Sequence, residues 1–318
     1  MAKPKILLYE EIHPVGINYL DEHAEIIWAS GYDEDTICNQ VVDVSGIVIR
    51  ANGSVTGRIM DSAPNLKVVG RHGVGVDNIE LEAATERGIY VVNTPGVNNE
   101  AVAEHAVGLM LSLTKLITAG DKALRNGNWN YRYQRRGQEM KGQTLGIVGL
   151  GNIGYRVAQI CHFAFDMEIL YCDEVDKQDV AKEIKASKVE LEELLKSSDY
   201  VSLHVPSLPT TRYLINSENI KLMKKTAYLI NTSRGPVVDT EALIEALDNN
   251  LITGTGLDVY EEEPLPDDDK ILDAPNTILT PHVASHTEEA MKAMAMVVED
   301  VIQVINGNKP KNPVNQIP

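Results

Sequence analysis

The sequence predicts an α/β protein built as two doubly wound, parallel-sheet (Rossmann-like) domains. Short, continuously apolar runs alternate with helix-like stretches along most of the 318 residues. The alternation stops at a polar stretch, Asn126 to Gly142, and then starts again, so there are two series. A glycine-rich turn opens the second series. Strands that are apolar on both faces and spaced by helices belong to a sheet covered on each side.

In the first series KILLYE, EIIWA, GIVIRA, LKVVGR and IYVVNT read as strands. PVGINYLDEH, RIMDSA and NIELEAATERG read as the helices between them. From Glu100 to about Arg125 runs one long, mostly apolar helical pattern. It is too apolar for a free surface, so a single core-crossing or dimer-forming helix is expected. Asn126 to Gly142 reads as a loop. TLGIVGL, MEILYCD, YVSLHV, TAYLINT, GTGLDV and TILT are the strands of the second series. Ser187 and Glu190 have capping-box spacing ahead of a short helix, Val189 to Lys196. A last helix is expected from about Thr287 to Asn306, stopped by Gly307 with Pro310 beyond.

Composition narrows the function classes. Hydrophobic residues are 43% and charged residues 24%, as in a globular enzyme rather than a disordered chain. Lys and Arg number 29 against 46 Asp and Glu, a net charge of −17. Such a surface repels phosphate backbones and anionic lipid, so neither nucleic acid nor membrane is expected as a partner. Cys38, Cys161 and Cys172 are too few and too scattered for a disulfide framework or a metal site. Reduced thiols and the lack of a signal-peptide pattern in MAKPKILLYE point to the cytoplasm.

The chemistry gathers in the second series. Gly149, Gly151 and Gly154, with Asn152 and Ile153 between them, follow the strand TLGIV and open a helix. The first glycine allows a tight turn, the second lets a pyrophosphate approach the backbone, and the third lets helix pack on strand. The helix N-terminus then offers N–H groups to the phosphates. Asp173 ends the next strand, where a carboxylate accepts from both ribose hydroxyls and repels a 2′-phosphate. The expected cofactor is therefore NAD.

Ligands of open α/β sheets sit beyond the carboxyl ends of the strands. Arg234, Glu263, His282 and His204 all follow second-series strands. Hydride transfer to or from a hydroxy acid needs a guanidinium to hold a carboxylate, a histidine to exchange a proton, and a carboxylate to orient the imidazole. Each also has a plainer reading: Arg234 as a surface cation, Glu263 as a solvated glutamate before Pro264, and His282 as a cap of the last helix.

At these residues the chain resembles the D-isomer specific 2-hydroxyacid dehydrogenase family, most closely its D-3-phosphoglycerate dehydrogenase branch. The resemblance rests on GRHGVGVDNIE, NTPGVNNEAVAEH, KGQTLGIVGLGNIG, LHVPSLPTT, INTSRGPVVD, GLDVYEEEP and LTPHVASHT. It implies a catalytic triad of Arg234, Glu263 and His282. It implies cofactor contacts by His204, Val205, Pro206, Thr211, Thr232 and Ser285, with Asp258 near the nicotinamide carboxamide. It implies substrate contacts by Asn98 and by the backbone of Val74 and Gly75. Arg50 and Arg71, at first-series strand ends, are candidates for a phosphate or second carboxylate, or plain surface charge.

The resemblance further implies a substrate domain made of 1–99 plus a returning C-terminal helix, 288–318, around a dinucleotide-binding domain, 100–287. It implies a homodimer through the long helix, and no C-terminal regulatory domain is expected. ANGS at Ala51–Ser54 and His72 depart from the usual family pattern where the substrate tail should lie. The leading substrates are 3-phosphoglycerate and hydroxypyruvate or glyoxylate. The competing class is a non-enzymatic NAD(H)-sensing protein related to the family.

Overall fold

A computed structural model describes residues 3–317. Its contacts divide the chain into two units, Met1–Asn98 with His286–Pro318, and Asn99–Ser285. Both contain parallel sheets flanked by helices, an α/β architecture with two Rossmann-like domains.

The first unit contains β1 (Lys5–Leu8), α1 (Pro14–His23), β2 (Glu25–Trp28), α2 (Glu34–Gln40) and β3 (Gly46–Ile49). α3 (Gly57–Asp61), β4 (Val68–Arg71), α4 (Leu81–Glu86) and β5 (Tyr90–Val92) follow. The strands lie in the order β2-β1-β3-β4-β5. Alternate side chains face opposite ways, and both faces are buried. Leu7, Ile47, Val69 and Val91 enter one core cluster. Ile6, Val48, Val68 and Val92 enter another.

The second unit begins with α5 (Asn99–Thr114), α6 (Ile117–Arg125) and α7 (Tyr131–Gln134). β6 (Thr144–Val148), α8 (Asn152–Phe165), β7 (Glu168–Cys172), α9 (Gln178–Glu183), β8 (Ser187–Lys188) and α10 (Leu191–Ser197) come next. β9 (Tyr200–Leu203), α11 (Ser217–Ile220), β10 (Tyr228–Asn231), α12 (Thr240–Asp248), β11 (Gly254–Leu257) and β12 (Thr277–Leu279) complete it. The sheet order is β12-β11-β10-β9-β6-β7-β8, so the direction of winding reverses between β6 and β9. α13 (Glu288–Ala295) and α14 (Val297–Ile305) belong to the first unit, where Val297, Val298, Val301 and Ile305 cover the Val48–Val68 face. A Cβ at Gly70 would stand 2.5 Å from Val301 Cγ2, which is why β4 carries a glycine under α14.

Four local expectations are corrected. The single helix of 100–125 is two helices, bent by 59°. Leu116 takes left-handed φ 58, and the Thr114 carbonyl accepts from Gln138 N–H at 2.9 Å, which ends α5. The loop of 126–142 contains the short α7. Ser187 is no cap: it pairs with Leu170 as part of β8, and Glu190 occupies the cap position of α10 without a side-chain bond. The last helix breaks at Met296, while Gly307, at φ 87, stops it as expected. The short α2 was not anticipated; Asp33 caps it by accepting from Thr36 N–H. No single helix among the described residues is long and apolar enough to cross a membrane.

Candidate active site

The glycine turn lies at the reversal of winding, where β6 and β9 end side by side. Gly149 has φ +92, and a Cβ there would stand 2.7 Å from the His204 carbonyl oxygen. A Cβ at Gly154 would stand 2.1 Å from the Gly149 carbonyl oxygen, so α8 presses directly on the turn. Gly151 is different. It is the N-cap of the 14-residue α8, makes no side-chain cap bond, and a Cβ there would meet nothing within 4 Å. The first-turn N–H groups contributed by Asn152 and Ile153 therefore open onto free space.

Asp173 follows β7 directly. Its Oδ2 accepts from Leu150 N–H at 2.8 Å and its Oδ1 from Val175 N–H at 2.8 Å, which pins it beside the turn. Thr232 follows β10 with its Oγ1 buried and unpartnered, as expected of a group reserved for a ligand. The uncapped helix, the pinned carboxylate and the orphan hydroxyl fit a dinucleotide. Other candidates are engaged locally. His204 shares a hydrogen bond with Ser202 Oγ at 2.9 Å, and burial pushes its imidazole down to about 3, so it is neutral. Thr211 Oγ1 donates to the Pro206 carbonyl at 2.6 Å and accepts from Leu208 N–H, shaping the 204–211 loop. Val205 packs near Gly149, Pro206 is exposed, and Ser285 is half-buried.

The catalytic candidates leave three adjacent strands, β10, β11 and β12. His282 Nδ1 and Glu263 Oε2 are 2.6 Å apart, and Glu263 Oε1 accepts from Tyr260 N–H at 3.0 Å. Burial works to raise the Glu263 carboxyl, but the His282 hydrogen bond and charge, Tyr260 N–H and the Arg234 charge outweigh it and hold the group below its ordinary value. His282 keeps 49% of its side chain exposed, so the Nε2 edge is open for proton exchange. Arg234 is half-buried, with Nη1 donating to the Ser233 carbonyl at 2.7 Å. A Cβ at Gly235 would stand 1.8 Å from the Tyr260 carbonyl oxygen, so only glycine lets the arginine turn lie against the Glu261–Glu263 segment.

Sequence reading missed Asn231. Its Oδ1 accepts from Ser233 N–H and its Nδ2 donates to the Arg234 carbonyl at 2.9 Å, forming the turn that presents the guanidinium. The Asn-Thr-Ser run at a strand end was the available signal. Asp258 is 0% exposed and fully engaged by the loop 280–284.

In the first unit, Arg71 is turned onto its own loop, donating to the Gly75 carbonyl from Nε and to the His72 carbonyl from Nη1, both at 2.6 Å. The Val74 carbonyl accepts from Asn93 Nδ2 at 2.7 Å. With these carbonyls occupied, the N–H groups of Val74 and Gly75 remain as donors. Asn98 Oδ1 is buried and unpartnered. Arg50 Nη2 donates to His286 Nε2 at 2.7 Å and touches Met291 Sδ, both uncharged partners in the neutral tautomer this requires. His72 is buried, with neither ring nitrogen hydrogen-bonded.

An uncapped glycine turn with a pinned acid, and a His–Glu pair with an arginine on the same sheet edge, define a nicotinamide-dependent dehydrogenase. Residues 107–284 match the family model described as D-isomer specific 2-hydroxyacid dehydrogenase, NAD binding domain. The chain belongs to this family, and NAD is its cofactor. It is 42% identical to a glyoxylate reductase of Thermofilum pendens, over 99% of this chain and 96% of the relative. It is 41% identical to a D-3-phosphoglycerate dehydrogenase of Methanocaldococcus jannaschii, over 98% of this chain and 59% of that protein. A crystal structure of a Thermus thermophilus protein superposes with a TM-score of 0.89 at 35% identity, covering 98% of this chain and all of the other.

Proposed function

We propose that this enzyme reduces a small 2-keto acid, with glyoxylate and hydroxypyruvate as its leading substrates. The reading is carried by the 2.6 Å pair of His282 Nδ1 and Glu263 Oε2, which leaves the other ring nitrogen open. NADH supplies the hydride when bound. Arg234 holds the substrate carboxylate and polarises the neighbouring carbonyl. His282 delivers a proton from Nε2 to the carbonyl oxygen. Glu263 accepts from Nδ1–H, fixing the orientation of the ring. In the hydroxy-acid direction His282 takes the proton back. Thr232, Asp173 and the first turn of α8 hold the dinucleotide. Within the first unit, the N–H groups of Val74 and Gly75 and the orphan Asn98 Oδ1 are the candidates for substrate contact.

Arg50 supports a second substrate class. Among the described residues no carboxylate pairs with it, so a phosphorylated or dicarboxylic keto acid would meet an uncompensated cation. The test is NADH oxidation against glyoxylate, hydroxypyruvate, its phosphate and oxaloacetate. Turnover of the first two supports the main reading, and preference for the last two moves the assignment to the second. NADH binding without turnover of any would leave the sensing protein instead.

The homodimer is also a proposal. It is supported by α6, none of whose residues is buried, and by exposed Ile117, Leu124, Trp129 and Tyr133 around it. Light scattering reads it directly. A cytoplasmic location is supported by three free cysteines.

A further inference from the structure

The loop that carries His282 is wound around one carboxylate. Asp258, at the end of β11, accepts from Thr280 Oγ1 at 2.6 Å and Val283 N–H at 2.9 Å on Oδ1, and from Ala284 N–H at 2.8 Å on Oδ2. Its carbonyl accepts from His282 N–H at 2.9 Å. These bonds hold His282 at φ 51, a left-handed conformation that a non-glycine residue keeps only when its surroundings impose it.

The Thr280 hydroxyl has one proton. Asp258 takes it, since the other acceptor in reach, the Leu257 carbonyl, is 3.4 Å away. Thr280 Oγ1 therefore accepts from His105 Nε2, at 3.0 Å, which fixes the proton of His105 on Nε2. The same nitrogen lies 3.6 Å from Asp258 Oδ1. His105 stands in the middle of α5, the largely buried helix packed on β10, β11 and β12, so the donor comes from a rigid element.

We propose that His105 is a positioning residue for the hydride-transfer reaction: through Thr280 it locks Asp258, which sets the main chain of 282–284 and so aims the His282 imidazole. This rests on His282 being the acid/base. The test uses the full-length chain with His105→Leu, His105→Gln, Thr280→Val and the double variant His105→Leu/Thr280→Val. One lost hydrogen bond in this path should lower kcat about tenfold in His105→Leu, with KM for NADH unchanged. Glutamine keeps an N–H donor of similar reach and should restore kcat to within about twofold.

The double variant should be no slower than Thr280→Val alone, because both changes cut one path. Amides 282–284 should exchange with deuterium faster in His105→Leu and at the wild-type rate in His105→Gln. Unchanged kcat and exchange, multiplicative losses, or a glutamine variant as slow as leucine would each overturn the proposal. If the leucine variant does not fold, Thr280→Ser against Thr280→Val poses the same question. Should the wild type reduce no 2-keto acid, the functional reading fails, and amide exchange alone decides this one.

Discussion

The two units share an architecture but treat the start of their first crossover helix in opposite ways. In the first unit, the exit from β1 is closed. Pro14 at N1 of α1 has no N–H to offer, and His13 Nδ1 accepts from Val15 N–H. Glu10 accepts from the N–H groups of Ala51 and Asn52, so a carboxylate already fills the neighbouring donors. Gly16 packs so tightly that a Cβ would stand 2.9 Å from the Ala295 carbonyl. In the second unit, α8 begins on an uncapped glycine with open space beyond it. A doubly wound sheet therefore does not by itself make a dinucleotide site. A helix N-terminus left unsatisfied by its own chain, as at α8, is the further feature that the proposed site requires.

The largest effect should come from the open edge. Arg234→Lys keeps the charge but loses the planar fork, and kcat/KM for the keto acid should fall by about 10²-fold, roughly 3 kcal/mol. NADH affinity, measured by fluorescence titration, should be unchanged. Equal losses in both would make Arg234 a cofactor or structural residue.

The closed unit should instead reveal itself in stability against pH. Burial, then the charge of Arg50, push the His72 imidazole down to about 4. The unfolded histidine takes up a proton below about 6.5 while the folded one stays neutral, so its contribution is whole above that value and declines as pH falls toward 4. Between about pH 8 and pH 5 the unfolding free-energy gap between wild type and His72→Ala should narrow by about 2 kcal/mol. Parallel curves would mean that the ring is reached by water.

Gly151→Ala and Gly16→Ala sharpen the comparison directly. Alanine at 151 meets no protein atom, so Tm should hold while the Kd for NADH rises about tenfold, about 1.4 kcal/mol. Alanine at 16 should lower Tm by overpacking and leave NADH binding alone. Reversed outcomes would exchange the roles of the two helix starts. The smallest effect concerns Asp173→Asn, which removes the charge and keeps one acceptor oxygen where Leu150 N–H and Val175 N–H each use one. The preference for NADH over NADPH should narrow about fivefold, the worth of about 1 kcal/mol for a partly solvated charge facing a phosphate. An unchanged ratio would leave Asp173 as a turn residue only.

Most strands were readable because each is buried on both faces, so GIVI and TLGIV carry their own signal whatever surrounds them. β8 was not, because two exposed residues, Ser187 and Lys188, contain no pattern and pair only because β7 offers an edge. The break after α5 was hidden for a similar reason. Thr114 and Lys115 continue a helical composition, and the helix ends because Gly137–Gln138 crosses over the Thr114 carbonyl.

The sequence by itself determined the parallel α/β class, the glycine turn, the acid beyond it and the three strand-end residues Arg234, Glu263 and His282. Those follow from local spacing: a strand's periodicity and the first residues past its end are properties of a short window. Only tertiary structure decided that Glu263 and His282, nineteen residues apart, meet at 2.6 Å. It alone decided that His204 turns to Ser202, that Asp258 is enclosed by the 280–284 loop, and that His105 lies behind it. Hydrogen bonds are fixed by distance and direction in space, and the chain brings such partners together only once its strands are in register.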